Sequence, residues 1–165
     1  MNTEEIRLVP FESEYAIAFK TLNEAWISRY FKMEPMDYLA LDHPQTYILD
    51  KGGYIVVALK GETVVGVCAL IKMVGKAYDF ELAKMGVSPS HQGQGIGGLL
   101  GKHILAKAKE FGASTVYLES NSVLVPALAL YRKLGFVEIS GFRSPYERCR
   151  SEERRVGKEC RSRWS

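Results

Sequence analysis

The residues with the plainest chemistry are Gln92-Gly93-Gln94-Gly95-Ile96-Gly97-Gly98, a glycine-rich turn between a strand-like run, Phe80 to Val87, and an apolar-periodic run, Leu99 to Phe111. Glycines let the backbone turn left-handed. A helix start adds N–H groups without intrahelical acceptors and the positive end of the helix dipole. Such a turn is expected to hold a phosphorylated ligand.

Two readings compete for it. Gly93, Gly95 and Gly98 fit the G-x-G-x-x-G dinucleotide pattern, with Glu119 at the end of the next strand as the acidic partner. In a dinucleotide fold, however, the turn follows its strand directly, whereas Ser88-Pro89-Ser90-His91-Gln92 intervenes here and Pro89 ends strand pairing. Upstream, Tyr54 to Leu59 and Thr63 to Met73 are β-branched runs joined by Lys60-Gly61-Glu62. They read as an antiparallel hairpin, with a third strand at Tyr78 to Val87. An antiparallel meander is not how a doubly wound sheet begins.

The chain resembles the GNAT superfamily of acyl-CoA-dependent N-acetyltransferases. That family's pyrophosphate motif is Gln or Arg, two residues, Gly, one residue, then Gly or Ala, and Gln92, Gly95 and Gly97 match it in order. Further along, Asn121 to Phe136 looks like the family's later signature: Asn after a strand, a helix carrying Ala and Leu130-Tyr131, then Gly135-Phe136. The resemblance spans Phe80 to Phe136. It implies an α/β (α+β) fold: a mixed, mostly antiparallel central sheet splayed at the cofactor site, with helices on both faces. The domain is expected over residues 1–149.

The resemblance also implies acetyl-CoA as co-substrate. The Met85 and Val87 backbone would pair with its pantetheine arm, and a bulge near Lys84 to Gly86, which Gly86 suits, would open the sheet. Amides from Gly93 to Gly98 would bind pyrophosphate, with the Gln92 and Gln94 side chains as helpers. Asn121 would bond the arm or orient Tyr131, and Tyr131 would protonate the coenzyme A thiolate; the plain alternative for Tyr131 is a core aromatic. Glu81, eleven residues before Gln92, stands where histone acetyltransferase members carry a catalytic glutamate. It is either the general base, directly or through water, or an ordinary carboxylate on a solvated strand face, with Glu119 in reserve. The expected function is acetyl transfer to a primary amine by direct attack. A non-catalytic acyl-CoA-binding module is the alternative, and it would need neither Glu81 nor Tyr131.

Composition excludes other classes. With 165 residues, 47% of them apolar, the chain can bury one sizeable core. No apolar run approaches the ~18 residues of a membrane span, and Met1-Asn2-Thr3-Glu4-Glu5 lacks the features of a secretion signal, so the expected location is cytoplasmic. Cys68, Cys149 and Cys160 have no metal-ligand spacing, and His43, His91 and His103 do not cluster, so no metal is expected. The formal charge of +3 lies wholly in residues 150–165, whose six basic and three acidic residues leave sixteen of each in residues 1–149. No nucleic-acid or membrane partner is expected of a neutral domain. The expected partner is a small-molecule amine or a peptide or protein amine, the chain being a monomer or a homodimer.

Residues 150–165 also resemble, read back into codons beginning AGATCGGAAGAG, the translation of an adapter used in sequencing libraries. They are expected to be a non-native tail, with the family's last strand beginning at Tyr146-Glu147-Arg148-Cys149 and its remainder missing.

Several elements must position these residues. Ile6 to Val9 alternates as a first strand ending at Pro10, and Ser13 is expected to cap a helix. In that helix Phe19, Leu22, Trp26 and Tyr30 form one apolar face. A shorter helix is expected over Met36 to Leu41 after Pro35, and a turn over Gln45 to Leu49. The aromatics of Trp26 to Tyr38 line an acceptor pocket or belong to the core. Thr115 to Leu118 reads as a strand and Leu124 to Leu134 as the last helix.

Overall fold

The computed structural model describes residues 5–75, 78–121, 123–139 and 153–159, with Asn121, 138–139 and 153–159 described by their backbone alone. Strands β1 (Ile6–Pro10), β2 (Tyr54–Lys60), β3 (Thr63–Lys72), β4 (Phe80–Val87), β5 (Thr115–Asn121), β6 (Val137–Ile139) and β7 (Glu153–Glu159) form one sheet in the order β1-β2-β3-β4-β5-β7-β6. Every neighbouring pair is antiparallel except β4 with β5. Helices α1 (Ala16–Tyr30) and α2 (Pro35–Asp42) pack on one face, and α3 (Ile96–Glu110) and α4 (Val125–Lys133) on the other.

Alternation along the strands supplies both cores. Ile55, Val57, Val67 and Ala69 bury against Phe19 and Ile27 of α1, whereas Val56, Cys68, Leu70, Phe80 and Val116 bury against Ile96, Leu100 and Ile104 of α3. Gly112 ends α3 at φ +84, and the Ala113 N–H reaches back to the Ala108 carbonyl at 3.0 Å, a left-handed closure.

Local differences from expectation have physical causes. The buried stripe of α1 is Phe19, Asn23 and Ile27, with Leu22 and Trp26 only partly buried and Tyr30 about half exposed. A polar residue is tolerated in it because Asn23 is satisfied twice: its amide donates to the Phe19 carbonyl (2.9 Å), and its oxygen accepts the Trp26 indole N–H (3.1 Å). Ser13 does not cap α1; it begins a short 3-10 turn over Ser13–Tyr15, and α1 starts after Tyr15 without a side-chain cap. Pro35 opens α2, where its missing N–H costs nothing.

β7 pairs with β5 over seven residues and with β6 over three. Main-chain pairing accepts any extended, proline-free segment, so this placement of 153–159 is compatible with their adapter resemblance. The expected strand start at Tyr146 to Cys149 lies outside the described residues.

Gly86 also differs in role. A Cβ there would lie 3.1 Å from the backbone C and O of Leu22, so glycine lets α1 sit directly on β4. Gly86→Ala is expected to cost about 1–3 kcal/mol, as overpacking against main chain does. An unchanged melting temperature would show that α1 shifts freely.

Candidate functional site

β4 and β5 are paired only at Phe80 with Val116 and Glu81 with Tyr117; beyond these, both strands run on and part. Before the parting widens, β4 carries a bulge. Its register with β3 shifts between Ala69–Ala83 and Val67–Gly86, placing Lys84 and Met85 opposite Cys68 alone. Lys84 takes φ +53, a left-handed value uncommon for a non-glycine residue. The expected bulge is therefore present, but its unusual backbone falls on Lys84 rather than Gly86.

The bulge swaps the faces that β4 addresses. Phe80 and Leu82 belong to the α3-side core, whereas after the extra residue it is Met85 and Val87 that pack there. Lys84 and Gly86 turn toward α2 and α1. One inserted residue does this because side-chain direction has a period of two.

Met85 and Val87 thereby line a cavity of about 320 Å³ at the opened seam. Gln92, Gly93, Gly95, Ile96 and Gly97 form its second wall. Val123, Leu124, Pro126, Ala127, Leu130 and Tyr131 form the third, and Trp26 and Tyr30 of α1 reach its mouth. Gly93 and Gly95 have φ +80 and +78, and a Cβ at either would meet nothing within 4 Å, so both amides border open space. The first bond from Gly95 in α3 runs from the Leu99 N–H to the Gly95 carbonyl (3.2 Å), leaving the N–H groups of Ile96, Gly97 and Gly98 without helical acceptors. A concave, largely apolar cavity ending in a helix N-terminus suits a ligand with an anionic end and a long uncharged arm.

Two glycines also serve packing, Gly97 of the turn and Gly101 within α3. A Cβ on Gly97 would come within 3.0 Å of Leu130, and one on Gly101 within 2.5 Å of Leu134. Their absence lets α4 lie close to α3, which brings Tyr131 to the cavity.

Tyr131 stacks edge-on against Phe136, with ring centroids 6.2 Å apart. Burial pushes its hydroxyl well above the usual phenol range, and neighbouring Cys68 adds to the shift. The group stays protonated at any physiological pH, so it can donate a proton or hydrogen bond and cannot serve as a base.

Glu81 sits elsewhere. Its register partner Ile71 packs in the α1-side core, so Glu81 addresses that face, opposite Tyr131, and it does not line the cavity. Burial first and Glu119 second push its carboxyl up to about 8, against the downward pull of Lys84. That is a titration range suited to general-base work. Glu119 accepts a hydrogen bond from the Tyr117 hydroxyl at 2.7 Å.

The structure thus gathers Met85, Val87, Gln92, Gly93, Gly95, Ile96, Gly97 and Tyr131 around one cavity. Gln94 and Gly98 flank it without lining it, and the backbone of Asn121 ends β5. Sequence reasoning missed the wall of Val123, Pro126 and Ala127. The apolar run Val123-Leu124-Val125 at the start of the last helix was the available signal. It missed also the buried pair of Lys84 with Asp37, charges 47 residues apart that nothing local connects. Among the described residues, no three His, Cys, Asp or Glu are placed to hold a metal, and no helix is long and apolar enough to cross a membrane.

A sheet parted beside a glycine-bordered helix start defines an α/β class with its cavity at the seam. The profile of the Acetyltransferase (GNAT) family matches residues 18–136, and the chain belongs to that family. It is 37% identical over 93 residues to N-alpha-acetyltransferase RimI of Mycobacterium tuberculosis, covering 55% of this chain and 56% of that protein. The chain spans about half the length of the curated relatives it matches. Among solved structures, a GNAT-family acetyltransferase from Staphylococcus aureus Mu50 superposes with a TM-score of 0.81 at 20% identity, over 94% of this chain and 99% of that one. The acetyltransferase yncA of Salmonella typhimurium, solved with acetyl-CoA, gives 0.73 at 15% identity over 94% of each chain.

Proposed function

We propose that this chain transfers an acetyl group from acetyl-CoA to a primary amine by direct attack. The observation that carries the reading is the pair of left-handed glycines, Gly93 and Gly95, whose amides border the cavity at the start of α3. Family membership and the acetyl-CoA bound to yncA support the choice of ligand.

In this reading the Gly93 to Gly98 amides, with Gln92 and Gln94, receive the pyrophosphate. Main-chain groups of Met85 and Val87 run beside the pantetheine arm as an added strand would, and Asn121 completes that wall. When bound, acetyl-CoA supplies the acyl group in thioester-activated form. Glu81, on the α1 face of the seam, takes a proton from the acceptor amine. Tyr131, on the opposite face, holds a proton at its phenol oxygen for the departing sulfur. The opened seam lets groups on two faces of one sheet serve one reaction. Acceptors enter on the side of Trp26 and Tyr30, and small-molecule and protein amines both suit a wall of that kind. The native domain in this reading runs over residues 1–149, with 150–165 an added tail; finding the tail codons uninterrupted in the source gene would overturn that part.

Calorimetric titration with acetyl-CoA, using NADH as control, tests the ligand. Saturable binding of acetyl-CoA alone is expected, and a folded sample that binds neither defeats the reading. Binding without acetylation of any amine in a broad screen would point to the non-catalytic module. Gly95→Ala should keep the fold, since a left-handed alanine costs only about 1–2 kcal/mol. It should weaken acetyl-CoA tenfold or more by crowding the cradle; undiminished affinity would remove Gly95 from the site.

A further inference from the structure

Lys84 and Asp37 form an ion pair of 2.7 Å whose side chains are 5% and 0% exposed. Both charges are removed from water, which is costly, and the arrangement stabilises the fold only weakly compared with an apolar pair of the same volume. Its position suggests a different use. Lys84 is the left-handed residue of the β4 bulge, and Asp37 lies in the first turn of α2. Asp37 is itself held: its other carboxylate oxygen, Oδ2, accepts the Glu34 N–H at 2.9 Å within a capping box at the start of α2.

We propose that the Asp37–Lys84 pair is a positioning latch that keeps β4 bulged, turning Met85 and Val87 to the cavity while tying α2 to the strand beneath it. A regular β4 would keep its first alternation. Even-numbered residues would then face α3 throughout, sending the Lys84 side chain into the apolar core and Met85 and Val87 away from the cavity. The buried Asp37 carboxylate gives the Lys84 ammonium a reason to point the other way, and this offsets the left-handed backbone.

The pair touches no reacting atom in this reading; both residues position others. Lys84 has a second effect through space. Its charge, with that of Glu119 on β5, acts on Glu81 three residues before it, and Asp37 faces Lys84 from α2.

The inference rests on the acetyl-CoA reading for the use of the bulge, not for its existence, and the test separates the two. The variant D37L/K84M replaces both charges with apolar side chains, which the buried site should accept. Its β4 is expected to lose the bulge in a crystal structure and its acetyl-CoA affinity to fall at least tenfold. In D37N/K84G, glycine takes the left-handed conformation without a latch, so bulge and affinity should stay near those of the wild-type chain. A D37L/K84M structure that keeps the bulge overturns the proposal, as does an equal loss of affinity in both variants. Should D37L/K84M fail to fold, D37N compared with D37N/K84G decides: affinity lost at least tenfold in D37N and restored when Lys84 is also glycine supports the latch, and wild-type affinity in D37N sinks it. A wild-type chain that does not bind acetyl-CoA would refute the ligand reading, while the register of β4 in the variants still decides the latch.

Discussion

Glu81→Gln is expected to cut turnover about 100-fold or more, the usual worth of a positioned general base. The accompanying change in pH dependence is more diagnostic than the loss. With its carboxyl pushed up to about 8, first by burial and then by Glu119, Glu81 is ionised in only a minor fraction of molecules at neutral pH. Expressed per neutral amine, the wild-type kcat/KM should therefore climb about tenfold per unit as pH approaches 8 and flatten above it; in the glutamine variant that climb should vanish. A rise that survives the substitution would transfer the base role to Glu119 or to water.

The same group makes a stability prediction of fixed sign. Its folded value lies above its ordinary value of 4.5, so between roughly 4.5 and 8 the folded chain keeps a proton that the unfolded chain has released. Stability contributed by this site is full below that window and is lost as pH rises through it. The melting temperature of the glutamine variant should thus gain on the wild-type chain from pH 5 to pH 8. A constant difference would mean that Glu81 is more solvated than its surroundings suggest.

Tyr131→Phe should lower turnover about 100-fold while leaving acetyl-CoA affinity unchanged. Phenylalanine preserves the edge-on contact with Phe136 and the apolar wall shared with Leu130, so only the hydroxyl is removed. A raised phenol makes a poor source of free protons but a permanent hydrogen-bond donor. The expected defect therefore lies in the departure of the sulfur, and acyl donors with more acidic thiols should recover much of the lost rate. Turnover equal to wild type would place Tyr131 among the packing residues.

The legibility of the site follows the range of the interactions that make it. The glycine turn was legible because left-handed backbone at Gly93 and Gly95 and close helix contact at Gly97 and Gly101 demand one residue type at fixed spacing. The β2–β3 hairpin and the sheet's mixed, mostly antiparallel character were legible from β-branched runs and the length of their connections. The swap of faces in β4 was hidden, because burial alternates without a break from Phe80 to Val87 although the side being addressed changes at Lys84. The environment of Glu81 was equally hidden, since it depends on Glu119 from another strand and on a lysine whose partner sits in α2. The buried stripe of α1 was hidden for a similar reason: two hydrogen bonds, which the sequence does not display, let Asn23 sit in it.

The parallel seam between β4 and β5 is two residue pairs long, whereas the neighbouring β3–β4 and β5–β7 ladders run to six and seven. Mechanically, the sheet is two plates joined at a short weld, with α3 and α4 as the strapping across one side. A molecule wedged beside Met85 and Val87 would bridge the plates where the chain does not, so occupancy should govern whether they melt as one body or in sequence. Scanning calorimetry of the empty protein would then show a broadened or divided transition that sharpens into a single peak as the wedge fills, making unfolding cooperativity itself a reporter of the bound state.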